Sequence, residues 1–229
     1  MIRFLSYPVS PESPVFPDCP TASFEPLFRI DRGDVCNMVT VTTQNHVSTH
    51  MDYPWHFNPN GRRMTELEAA EFFFETPRLL DLARADDELI TDADLRAHAD
   101  EIAGADMLLI RTGFGRKWRS ADPIRYSQHG PGFAVSAGEY LIHEQPSLRA
   151  IVLDWISAAS PTHVPEGHEF HRVVLGRRRE DRYILIVEDA KLDAELSGAD
   201  LGRVVIAPLL LQDQDGGPVT LFADSRRTA

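Results

Sequence analysis

Residues 45 to 57 read Asn-His-Val-Ser-Thr-His-Met-Asp-Tyr-Pro-Trp-His-Phe. Four groups able to hold a metal or move a proton, His46, His50, Asp52 and His56, fall in this one run, and they restrict how it can fold. Imidazoles interleaved with a carboxylate suit a divalent ion such as zinc or manganese better than any single-residue chemistry. An extended strand rises ~3.3 Å per residue, which would leave His46 and Asp52 about 20 Å apart. Donors that each sit ~2.0–2.2 Å from one ion cannot span that gap. A helix would bring His46 and His50 onto one face but turn Asp52 away from it. Pro54 and the threonine-rich approach disfavour a helix as well. The expectation is a strand over 38–44 that breaks into a tight loop folding the ligands inward. A zinc-protease HExxH helix is excluded, because no Glu follows the first His.

The run resembles the signature H-x-G-[TA]-H-x-D-x-P-x-H-[FY] of the metal-dependent cyclase-like hydrolases, which include bacterial kynurenine formamidase and isatin hydrolase. Every metal and catalytic position is present, Pro54 and Phe57 also fit, and Ser48 stands where the family has Gly. If that Gly supplies a positive φ or a close substrate approach, Ser48 alters the pocket more than the metal. Further landmarks follow in the family's order. Pro14-Val15-Phe16-Pro17-Asp18 is similar to its P-V-W-P-G-D segment, and Arg111-Thr112-Gly113 and Gly130-Pro131-Gly132-Phe133 to its R-T-G and H-P-G-[LF] segments. His168-Glu169-Phe170-His171-Arg172-Val173-Val174-Leu175 resembles its H-x-x-L-L helix, and Ile184 to Asp189 its strand ending I-x-E. An insertion, Arg177 to Arg182, separates those last two.

Alternating helix and strand signals read as a single α/β domain over residues 1–229, including a proline-rich arm over 1–25, and the resemblance implies a swivelling β/β/α arrangement. It implies that His46, His50 and Asp52 bind a first metal, with Asp52 bridging to a second held by His171 and Glu188. His56 is then the proton shuttle, and Phe16 takes the place of a substrate-stacking Trp. His168 competes with His171 from nearly the same helix face, and Asp189 competes with Glu188, since strand spacing alone does not decide which faces the site. Members commonly form homodimers or homotetramers, and the arm is expected to carry Phe16 toward a neighbour's active site.

The rest of the chain fits a cytoplasmic enzyme acting on a small, possibly aromatic molecule. A length of 229 residues suffices for one well-buried domain. The net charge of −12 argues against nucleic acid or anionic membrane as the main partner. Cys19 and Cys36 make no disulfide framework, and no segment reads as a secretory signal or a membrane span. There is no phosphate-binding glycine loop with its Lys and no G-x-S-x-G elbow, so nucleotide and serine-esterase hydrolysis lack support. Helices are expected over 65–74, from a cap of Thr91 with Asp94 through Leu95 and Ile102, and from Ser136 with Glu139 as a capping box to about Gln145. His98 and His143 read as surface residues, His143 paired with Glu139. Strands are expected over 78–82, 107–111, 150–154, 183–187, 203–211 and 219–222, with Pro208 marking a bend or edge. The run Arg177 to Arg182 reads as a solvated connection. Tyr53, Trp55, Phe57 and Trp155 read either as core or as lining of an aromatic pocket.

A divalent ion, zinc first and manganese second, would make hydroxide available near neutral pH for attack on an amide, formamide or lactone carbonyl. His56 could take a proton and return it to the leaving amine. The leading expectation is hydrolysis of a C–N amide, with N-formylkynurenine as the example. A biosynthetic cyclase or dehydratase using the metal as a Lewis acid is the alternative, and a non-catalytic metal module is the third. An acid–base group beside the ligands argues against the third.

Overall fold

The computed structural model describes residues 2–177, 181–193, 195–198 and 201–225. In chain order the strands are β1 (Ile2–Phe4), β2 (Ser23–Phe28), β3 (Met38–Thr42), β4 (His50–Asp52), β5 (Phe73–Phe74), β6 (Pro77–Asp81), β7 (Leu89–Ile90), β8 (Met107–Arg111), β9 (Gly132–Phe133), β10 (Ala150–Leu153), β11 (Leu185–Glu188), β12 (Leu201–Pro208) and β13 (Gly216–Ser225). The helices are α1 (Asp92–Arg96), α2 (Ala99–Ile102), α3 (Phe114–Trp118), α4 (Pro123–Gln128), α5 (Val135–Glu144) and α6 (Val164–Val174).

One mixed sheet organises the chain in the order β5-β12-β13-β4-β11-β10-β8-β6, with β1 added on β13. Strands β6, β8, β10 and β11 run parallel, and β4 joins them antiparallel to the β12–β13 hairpin. The parallel strands are nearly continuous apolar runs because both of their faces are covered. Leu108, Ile110, Ile151, Leu153, Ile184 and Ile186 point into a core shared with Leu141, Phe170 and Val174 of α5 and α6. Met107, Leu109, Ala150, Val152, Leu185 and Val187 point to the opposite face, against Met51, Phe74, Val204 and Leu221. The antiparallel half curls over that second face until β12 comes against β6, so the sheet is nearly closed. Full burial of each such Leu, Ile or Val contributes roughly 1.5–3 kcal/mol. This is the α/β, β/β/α layering expected from the sequence.

Three local expectations are corrected. Residues 65–74 are not a helix: they make two 3-10 turns, Met64–Glu66 and Ala69–Phe72, before β5. Phe74 must pair opposite Val204 in β12, and strand pairing overrides the helical propensity. Helix α5 begins at Val135 without the Ser136–Glu139 box. The Val135 N–H donates instead to Glu166 Oε1, and Ser136 Oγ accepts from the Asp92 N–H. Within the basic run, Arg178, Arg179 and Glu180 lie outside the described residues. Arg182 is no solvated link, because its guanidinium donates to the carbonyls of Ile142, Gln145 and Leu148 at the end of α5. By contrast, Thr91 caps α1 with Asp94 as read, and His143 pairs with Glu139 at 2.9 Å. Among the described residues no helix is long and apolar enough to cross a membrane.

Candidate metal centre

The ligand-rich run folds in three pieces. After β3 the chain turns at Ser48, which adopts a left-handed φ of 53°. It then forms the three-residue strand β4 and ends in a 3-10 turn over Pro54–His56. The expectation of a loop throughout is therefore corrected: His50 and Asp52 lie on a strand, two residues apart and so on one face. Only His46 needs the turn. The left-handed Ser48 also accounts for the Gly of the resembling signature, at a cost of about 1–2 kcal/mol for a residue bearing a Cβ. Its hydroxyl donates toward the carbonyls of Tyr7 (3.3 Å) and Pro8 (3.2 Å) and accepts from Arg119 Nη2 (3.3 Å).

Strand register brings in the later residues. Glu188 lies opposite His50 in the β4–β11 ladder, and it continues the Ile184–Ile186 row that faces the helices. Helix α6 packs on that face and lowers His171 onto the pair. His50 Nε2 is 3.3 Å from Glu188 Oε2 and 3.7 Å from Asp52 Oδ1. His171 Nε2 is 3.5 Å from Asp52 Oδ2 and 3.5 Å from Glu188 Oε1, and His46 Nδ1 is 3.0 Å from Asp52 Oδ1. Four donors placed tetrahedrally ~2.1 Å from an ion lie about 3.4 Å apart. Among the described residues three triads come within range of a divalent ion: a half-buried one, His46–His56–Asp215, and two deeper ones that share Asp52, His46–His50–Asp52 and Asp52–His171–Glu188. The mixed nitrogen and oxygen donors suit zinc or manganese.

The neighbours of this cluster separate the rivals. His168 packs on Phe57 at the pocket mouth, and it is His171 that meets the carboxylates. Asp189, with φ of 50°, turns away to a bidentate pair with Arg119 (2.8 and 2.9 Å) and accepts from the Tyr126 hydroxyl at 2.6 Å. Glu188 Oε1 accepts from the Ala158 N–H (2.6 Å) and the Ser157 hydroxyl (3.2 Å). His56 stands outside both triads that share Asp52, its ring stacked on His46 at 4.2 Å. Phe16 lines the same cavity of about 270 Å³, with Val15, Phe57 and Ile156, in its own chain. No reach across a neighbour is needed to bring it there.

One residue has no counterpart in the sequence reading. Asp215, in the turn before β13, places Oδ2 2.7 Å from His56 Nδ1 and 3.2 Å from His46 Nε2. A signal existed in the turn-forming Asp-Gly-Gly-Pro at 215–218. What it lacked was any hint of a contact with histidines 159 and 169 residues away.

Electrostatics state what the site demands. Burial opposes the charge on His46, yet hydrogen bonds to Asp215 and Asp52 outweigh it and push its pKa up to about 10. The same balance, with Asp52 and Glu188 as partners, pushes His171 up to about 10. Burial raises Glu188, as does the Asp52 charge, but His171 and His50 prevail and bring it down to about 2. Asp52 is likewise held well below the ordinary carboxylate range by His56, His171 and His46 against the effect of its burial. Buried carboxylates therefore hold protons on the imidazoles, and a cation must displace them. Metal affinity should rise with pH from 6 toward 9, because His46 and His171 shed protons only toward about 10. Calorimetric titration in buffers of different ionisation heat should show proton release, and pH-independent affinity without release would contradict this balance.

The Cyclase family model matches residues 4–160 of the 229. The chain belongs to the Cyclase family. The matched stretch ends before His171, Glu188 and Asp215. A Haemophilus influenzae protein, itself uncharacterized, is 36% identical over 107 residues, 47% of this chain and 75% of that protein. Kynurenine formamidase of Bacillus anthracis is 24% identical over 215 residues, 94% of this chain and 93% of the relative. Isatin hydrolase A from Labrenzia aggregata, solved bound to benzyl benzoate, superposes with a TM-score of 0.80 at 22% identity, covering 97% of this chain and 93% of its own. The formamidase and the isatin hydrolase are hydrolytic enzymes.

Proposed function

We propose that this chain is a metal-dependent hydrolase of a C–N amide in a small aryl formamide or cyclic amide, with an N-formylkynurenine-like compound as the leading example. The observation that carries this reading is the pair of ligand triads sharing Asp52, with His56 beside but outside them. A divalent ion, zinc first and manganese second, supplies Lewis acidity when bound, polarising a carbonyl and lowering the pKa of water. His56 takes the proton of the attacking water and returns it to the leaving nitrogen, which could not depart as an amide anion. Phe16, Val15, Phe57 and Ile156 offer an apolar wall for the substrate's ring. Burial of the carboxylates beneath α6 keeps their attraction for a bound cation strong.

The test is a panel of aryl formamides, isatins and lactones with metal-reconstituted protein, reading formate or new carboxylate. Amide turnover that vanishes on chelation and returns with zinc or manganese is expected. Turnover of lactones alone, or isomerised products without hydrolysis, would move the reading to the alternative.

Assembly as a homodimer or homotetramer, in the cytoplasm, belongs to the same proposal. The β2–β3 ribbon leaves Phe24, Leu27, Phe28, Met38, Val39 and Val41 exposed. A two-stranded ribbon open on both faces is marginal alone, and so large an apolar surface favours a partner. Light scattering at micromolar concentration should give a multiple of the 25.7 kDa chain, and a monomer would remove the idea.

A further inference from the structure

Each buried histidine facing the carboxylates has its outer nitrogen committed. His50 Nδ1–H donates to the Ser48 carbonyl at 2.8 Å, and His171 Nδ1–H donates to the Gly167 carbonyl at 2.7 Å. Both therefore turn Nε2 inward. His46 has the opposite orientation, with Nδ1 toward Asp52 and Nε2 toward Asp215. A carboxylate only accepts, so the nitrogen facing it carries the hydrogen. Both nitrogens of metal-free His46 therefore hold hydrogens, Nδ1 toward Asp52 at 3.0 Å and Nε2 toward Asp215 at 3.2 Å. When a cation displaces the first, Asp215 keeps the second, leaving the lone pair on Nδ1 for the cation. By the same rule the 2.7 Å contact of Asp215 puts the hydrogen of neutral His56 on Nδ1 and frees Nε2.

The carboxylate is held for this purpose. Its Oδ1 accepts from Asn45 Nδ2 at 2.6 Å, and its backbone carbonyl accepts from the Tyr53 N–H at 2.9 Å. The next residue, Gly216, pairs with Asp52 in the β4–β13 ladder. A Cβ on Gly216 would meet His46 Cε1 at 2.4 Å and Nε2 at 2.8 Å, so the Asp-Gly pair makes room for the ring and grips it. We propose that Asp215 is a positioning residue that, through one carboxylate oxygen, sets the tautomer of both a metal ligand, His46, and the proton carrier, His56. The inference deepens the hydrolase reading and rests on its assignment of those two histidines. His46, His56 and Asp215 could instead be a ligand triad of their own. A neutral imidazole offers one lone pair, however, and the buried triad with Asp52 and His50 claims that of His46.

Two substrate-free readouts test this in the full chain. Metal-free Asp215→Asn should bind zinc roughly 10–100-fold more weakly than wild type, the scale for losing an outer-shell partner, at unchanged stoichiometry. In zinc-loaded protein with ¹⁵N-labelled histidine, His56 should be protonated on Nδ1 in wild type and shift toward Nε2–H in the variant. Folded Asp215→Asn with wild-type affinity and an unchanged His56 tautomer would overturn the proposal. Loss of a bound equivalent would overturn it too, by making Asp215 a ligand. Should that variant not fold, Asn45→Ala, which frees Asp215 Oδ1 and the longer contact to the Gly216 carbonyl, should weaken zinc by a smaller factor, and wild-type affinity there would overturn the proposal. Neither readout involves turnover, so a wild-type enzyme inert toward amides would defeat the hydrolase reading alone.

Discussion

His50→Ala is expected to strip most of the metal from the centre while the fold survives. His50 Nε2 faces both Glu188 and Asp52, and its other nitrogen is tied to the Ser48 carbonyl, so no neighbour can replace it. Losing an outer-shell partner already costs about 10–100-fold in affinity, and losing a ligand should cost more. Asp52 and Glu188 would then keep only the His171 imidazole between them. Elemental analysis after dialysis should find the variant depleted and inactive, with secondary structure retained. Full metal retention in both His46→Ala and His50→Ala would sink the site.

His56→Ala should do the reverse. The ring touches His46 by stacking and Asp215 by hydrogen bond, yet belongs to neither triad that shares Asp52. Metal content and melting behaviour should stay near wild type while kcat falls roughly 10²–10⁴-fold, the usual contribution of general acid–base catalysis. A folded, metal-replete variant with unchanged turnover would reduce His56 to packing. Loss of metal together with activity would make it a ligand.

How much of this was legible in the sequence follows from the range of each contact. Met107–Arg111 declared itself because a strand covered on both faces must be apolar at every position. The run from His46 to His56 declared itself because its donors are close in sequence. Its local geometry was read less well: β4 is only three residues long, and the ladders on both sides that make it a strand belong to residues beyond 185. The resemblance favoured Glu188 over Asp189, but strand spacing did not separate them, since adjacent strand residues face opposite sides and only the partner β4 shows which side holds the site. The 3-10 turns at 64–72 and the start of α5 were misplaced for a related reason. Glu166 and β12 supply tertiary partners that local propensity does not contain. Asp215 lay furthest from view, because a hairpin turn offers no periodicity and its two histidine partners come from the first quarter of the chain.

The measurement that tests the account most directly is anomalous diffraction at the zinc edge from crystals of the reconstituted protein. The account predicts density bounded by His46 Nδ1, His50 Nε2 and Asp52, with any second ion between Asp52, His171 and Glu188. It also predicts that His56 and Asp215 stay beyond coordination distance. A peak held by His46, His56 and Asp215 instead, or none at either triad of Asp52, would contradict it.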